Sequence, residues 1–95
     1  MDIDIEPRFE LGNIVATPGA LAALEDADIS PAHYLSRHVK GDWEQMDPED
    51  REANVFAIEH GLRILSAYVL PTGVKLWIIT EADRSATTLL LPSEY

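Results

Sequence analysis

The chain contains no cysteine. Disulfides, thiolate nucleophiles and thiolate metal sites are therefore excluded, and a domain this small must be held by its core alone. Basic residues are also scarce. Seven Lys and Arg stand against 17 Asp and Glu in 95 residues, a formal net charge of −10. Phosphate backbones and anionic membrane surfaces are recognised largely by Lys and Arg, so this balance disfavours both nucleic acid and membrane as direct partners. No apolar run approaches the length of about 20 residues that spans a bilayer. The start, Met1-Asp2-Ile3-Asp4-Ile5-Glu6, has neither the positive nor the apolar stretch of a signal peptide. A cytoplasmic location is the expectation.

What is present suffices for one core. Hydrophobic residues make up 46% and charged residues 25%, which fits a single globular domain. Residues 1–8 read as a polar, flexible tail and residues 9–95 as one domain.

The chain's punctuation is clear. Phe9 to Ala16 is a candidate strand that Gly12-Asn13 weakens. Thr17-Pro18, Ser30-Pro31 and Asp47-Pro48 each pair a capping residue with a proline at the first helical position. The first helix ends near Asp28. Ala32, Leu35 and Val39 form the apolar stripe of the second, which Gly41 stops. Val55, Ile58 and Leu62 form that of the third, which Gly61 ends. Beyond Gly61 the texture becomes β-branched. Arg63 to Leu70, Val74 to Thr80 and Ala86 to Leu91 read as strands, joined by Pro71-Thr72-Gly73 and Glu81-Ala82-Asp83-Arg84. Connections this short imply an antiparallel meander. The expected fold is α+β, in the order β-α-α-α-β-β-β, with three N-terminal helices packed on an antiparallel β-meander.

Several segments together resemble a family of small bacterial proteins often labelled plasmid-related proteins, or a modification subunit of a type I restriction system. They are Ile14 to Leu21, Arg37-His38-Val39-Lys40-Gly41-Asp42-Trp43, Arg63 to Tyr68, Trp77 to Ser85 and Thr87 to Pro92. The resemblance covers nearly the whole chain after residue 8. A methyltransferase domain needs a Gly-rich cofactor turn and an Asn-Pro-Pro-aromatic motif, and this sequence has neither. The resemblance therefore implies a mobile-element or defence-related setting rather than methyl transfer.

Candidate chemistry is sparse. His33, His38 and His60 lack the spacing of a metal pair on one helix face, so no metal and no cofactor is expected. The Glu81–Ser85 loop, with Thr80, Thr87 and Thr88, gathers acids, an arginine and hydroxyls. Arg84 could meet an anion there, with Ser85 or Thr87 as hydrogen-bonding partners. In a plain turn, Asp83 would bond nearby backbone and Arg84 would pair with Glu81 or Asp83. A small RNase-like toxin or hydrolase would use His60, Arg63 and Arg84, with Glu59 beside them, for general acid–base work. The low basic content argues against it.

The charge itself is localised. Residues 1–61 carry the whole net −10, and residues 42–52 carry −5 of it. Asp42, Trp43, Glu44, Glu49, Asp50, Glu52 and Phe56 form an acidic stretch with aromatics among it. The favoured reading is a non-enzymatic protein that binds a basic partner protein through this helical face, in the manner of a nucleic-acid mimic. Self-association into a homodimer through an exposed sheet edge is a further reading.

Overall fold

The three helix starts fold as their sequences dictate. In the computed structural model, which describes residues 7–95, helices α1 (Pro18–Asp26), α2 (Pro31–Lys40) and α3 (Pro48–His60) each open on their proline. Thr17 Oγ1 accepts the Ala20 amide at 3.0 Å and Ser30 Oγ accepts that of Ala32 at 3.2 Å. Asp47 holds the capping position of α3 but its side chain makes no capping bond. Gly41 and Gly61 stop α2 and α3 in the left-handed conformation, at φ 78° and 66°, which glycine adopts without steric penalty. The expected flexible tail falls largely on residues 1–6, outside the described residues.

Four strands form one sheet: β1 (Asn13–Ala16), β2 (Ile64–Val69), β3 (Lys75–Thr80) and β4 (Ala86–Leu90), in the order β1-β4-β3-β2. The last three are the expected antiparallel meander. β1 joins β4 in parallel, so the sheet is mixed. β1 is also shorter than the Phe9–Ala16 segment read from sequence. Gly12 turns the chain at φ 64° and lies against the Arg84 and Ser85 carbonyls, where any Cβ would collide.

One face of the sheet is the core face. Pleating puts Ile64, Ser66 and Tyr68, then Leu76, Ile78 and Thr80, then Thr87 and Leu89 on it, and none is more than 1% exposed. Ala20, Ala23 and Leu24 of α1, Tyr34 of α2, Trp43 of the α2–α3 connection, Ala57 of α3 and Leu70 after β2 complete the cluster. On the other face Trp77 is half-buried, with Tyr95 edge-on against its ring.

Two helical stripes are displaced from the sequence reading. In α2 the buried residues are Tyr34 and His38, while Leu35 and Val39 are half-buried and Ala32 is exposed. In α3 they are Asn54 and Ala57, while Val55 and Ile58 are half-buried against the core and Leu62 is 46% exposed. The cause in α3 is the free edge of β2. Asn54 donates to the Leu65 carbonyl at 2.8 Å and accepts the Leu65 amide at 3.2 Å. Gln45 does the same at Val69, accepting its amide at 2.9 Å and donating to its carbonyl at 3.5 Å. Two side-chain amides thus cap both ends of an edge that would otherwise offer its backbone groups to another strand.

Candidate functional site

The acidic stretch divides into an inner and an outer part. Trp43, read from sequence as part of a partner surface, is a core residue only 3% exposed, and its indole Nε1–H donates to Ser66 Oγ at 2.7 Å. Burying an indole beneath the sheet's core face removes more apolar area from water than any exposed placement would, provided its N–H finds a partner. Asp42 pairs with Arg37, Nε to Oδ2 at 3.0 Å, and its carbonyl accepts the Tyr68 hydroxyl. Glu44 is exposed beside them.

The outer part is α3. Successive residues of a helix turn by 100°, which brings Glu49, Glu52, Phe56 and Glu59 onto one face. All four are exposed. Phe56 is 53% exposed in the middle of this stripe. Its ring stacks on that of His60, one turn on, with centroids 3.9 Å apart and planes 20° from parallel. The His60 Nδ1–H donates to the Phe56 carbonyl at 3.0 Å. The pair holds an aromatic surface outward among carboxylates, which burial does not account for. Asp50 faces elsewhere. It lines a shallow cavity of about 430 Å³ between α3 and the strands, with Met46, Ala53, Arg63, Ala67 and Trp77. Glu59, outside the acidic stretch read as a partner surface, completes the stripe. Its positions three beyond Phe56 and seven beyond Glu52 are the sequence signal for it.

The residues of the nuclease reading are engaged in other contacts. Arg84 sits at φ 60° with its guanidinium on backbone carbonyls: Leu62 at 2.7 Å, Glu81 at 3.0 Å, Ala82 at 3.1 Å and Ala57 at 3.2 Å. It ties the C-terminal end of α3 to the β3–β4 turn. Arg63 donates to the Tyr95 hydroxyl. Asp83 accepts the Ser85 amide at 3.0 Å, the local turn bond. The Ser85 hydroxyl, together with that amide, holds the Asp83 carboxyl below the usual carboxylate range. Arg84 pairs with carbonyls here rather than with Glu81 or Asp83. No feature of this loop singles out an anion.

The three histidines stay apart. His33 packs edge-on against Tyr34, at 4.8 Å between centroids. His60 lies on Phe56. His38 is fully buried at the centre of a polar chain that sequence spacing did not reveal. Trp43 Nε1–H donates to Ser66 Oγ, Ser66 donates to His38 Nδ1 at 2.5 Å, and His38 Nε2–H donates to Thr80 Oγ1 at 2.8 Å. Thr80 then donates to Thr87 Oγ1 at 2.7 Å, and Thr87 donates to the Leu11 carbonyl at 2.7 Å. An indole can only donate and a carbonyl can only accept. Each hydroxyl has one hydrogen, so the Leu11 carbonyl fixes the direction back to His38 and puts a proton on Nε2; burial keeps the ring neutral, which leaves Nδ1 to accept from Ser66. Burial pushes its pKa down to about 3. A ring with no exposed surface cannot meet a substrate, so His38 is a structural residue. Among the described residues no three His, Asp or Glu side chains come together as a metal site, and no helix is long and apolar enough to cross a membrane.

Comparison with protein-family models, with curated proteins and with solved structures finds no match for this chain.

Proposed function

We propose that this protein acts by contact, binding a basic partner protein through the outer face of α3. The observation that supports this reading most is Phe56, 53% exposed and stacked on His60 at the centre of the Glu49, Glu52 and Glu59 stripe. An exposed aromatic ringed by charge of one sign is the pattern of an interface anchor with a steering rim. The complement is a surface of Lys and Arg with room for one ring, where an Arg could also stack on it. A surface that otherwise holds nucleic acid has that character, and the carboxylate stripe would occupy it by mimicking phosphate charge. The proposed setting, suggested by the family resemblance, is a bacterial plasmid or restriction-related locus.

Capture of the partner from the native cell should be strong at low salt. It should fall sharply at roughly 0.5 M salt, where the Debye length shrinks to a few ångströms. Phe56→Ala should weaken capture by about 30-fold, an anchor's share of some 2 kcal/mol. It should leave thermal stability within about 0.5 kcal/mol, as expected for an exposed side chain. Capture indifferent to both salt and Phe56 would defeat the proposal.

A further inference from the structure

We infer that two copies of this chain join through the free edge of β1, building one continuous sheet across a two-fold axis at Val15. The two edges of the sheet are treated differently. The β2 edge is capped at Leu65 by Asn54 and at Val69 by Gln45. The β1 edge has no such caps among the described residues. Its hydrogen bonds to β4 alternate. Asn13 donates to the Ser85 carbonyl and Thr17 to that of Leu89, both at 3.0 Å, in the register Asn13↔Ala86 to Ala16↔Leu89. In a parallel pair every second residue bonds the same neighbour. Asn13, Val15 and Thr17 therefore face β4, and the amides and carbonyls of Ile14 and Ala16 face outward.

The side chains agree with an unfinished edge. The strand Asn-Ile-Val-Ala carries no charge, in a protein of net charge −10. Ile14 is 51% and Val15 49% exposed, and Leu21 at the start of α1 is 48% exposed. Natural sheets blunt a free edge with charge, proline or a cover, and this one has none of these among the described residues. The occupant we name is a second copy, because the free groups are self-complementary. Set antiparallel, Ile14 of one copy exchanges both backbone hydrogen bonds with Ala16 of the other, and the reverse. Val15 then meets its own counterpart on the axis as a non-hydrogen-bonded pair. Pro18, without an N–H, ends the pairing.

The absence of cysteine makes a direct test available. Across a non-hydrogen-bonded antiparallel pair the Cα atoms lie about 4.5 Å apart, within the disulfide range of about 4.4–6.8 Å. The variant V15C, oxidised mildly at micromolar concentration, should form a covalent dimer at least about tenfold faster than V69C, an exposed site on the capped β2 edge. Sedimentation of the unaltered chain should show dimer growing with concentration. Dimer should also grow with added salt, because salt screens the repulsion of two acidic copies. V15K should weaken association about tenfold by facing two ammonium groups across the axis. Equal rates for V15C and V69C, or an unaltered chain that stays monomeric at every concentration and salt, would overturn the inference. The salt response runs opposite to that of partner capture, so the two readings fail separately.

Discussion

The folded protein should lose stability as the pH is lowered from 7 towards 4.5. His38 is the cause. Its pKa is about 3 when folded, through burial, and about 6.5 when unfolded. The unfolded chain therefore binds a proton that the folded chain refuses across that window. Stability is complete above pH 6.5 and falls as the pH drops through it, ceasing to fall from this source below pH 3. The full difference is on the order of 5 kcal/mol, with about half expressed by pH 4.5. The physical reason lies in the chain from Trp43 to Leu11. A proton on Nδ1 would force Ser66 to accept from both His38 and Trp43, leaving its own hydrogen without a partner in a dry site. Urea titrations at several pH values should show this slope, and His38→Gln, which cannot titrate, should flatten it. A wild-type stability unchanged between pH 7 and 5 would mean that His38 is not held neutral. At lower pH the Asp83 and Glu94 carboxyls, both held below their usual range by hydrogen bonds, add a loss of the same sign.

Trp43→Ala should come close to unfolding the protein. Truncating a buried Trp costs about 3–5 kcal/mol, against a total stability of about 5–15 kcal/mol for a domain of ordinary size. Here the loss also removes the donor that starts the polar chain at Ser66. A fall in melting temperature of about 4–8 °C per kcal/mol is expected for a domain of this length, so the melt should drop by more than ten degrees. Phe56→Ala should barely move it. This contrast separates two aromatics that look alike in sequence, each placed among acids. If Trp43→Ala melted like the wild type, the core described above would be wrong.

Much of the fold was legible because its signals are local. A capping residue followed by proline starts a helix, and glycine in a left-handed conformation stops one, with no reference to the rest of the chain. The strands after Gly61 announced themselves through β-branched runs and tight turns. What was illegible depends on partners distant in sequence. β1 pairs with β4, more than 70 residues away, and no local pattern specifies that. His38 reads as partly buried beside Leu35 on its helix, but its polar chain does not, because Ser66, Thr80 and Thr87 come beside it only in the fold. Asn54 carries no local signal for the same reason, since the β2 edge that needs its amide comes 11 residues later. The site was half legible. Composition located the acids, but helix geometry was needed to turn Asp50 towards the cavity and add Glu59, and the core to take in Trp43.

The most direct test of the α3 surface is a comparison of two charge-reversal proteins that alter net charge equally. One carries E49K, E52K and E59K on the outer face of α3. The other carries E10K, E25K and D26K, exposed acids outside α3. Binding of each to the captured basic partner is measured at low salt beside the wild type. The α3 variant should lose affinity by at least about 100-fold, through lost attraction and new repulsion. The second variant should stay within a few-fold of wild type. Equal losses in both would mean that overall charge, not this surface, draws the partner, and an unaffected α3 variant would contradict binding through α3.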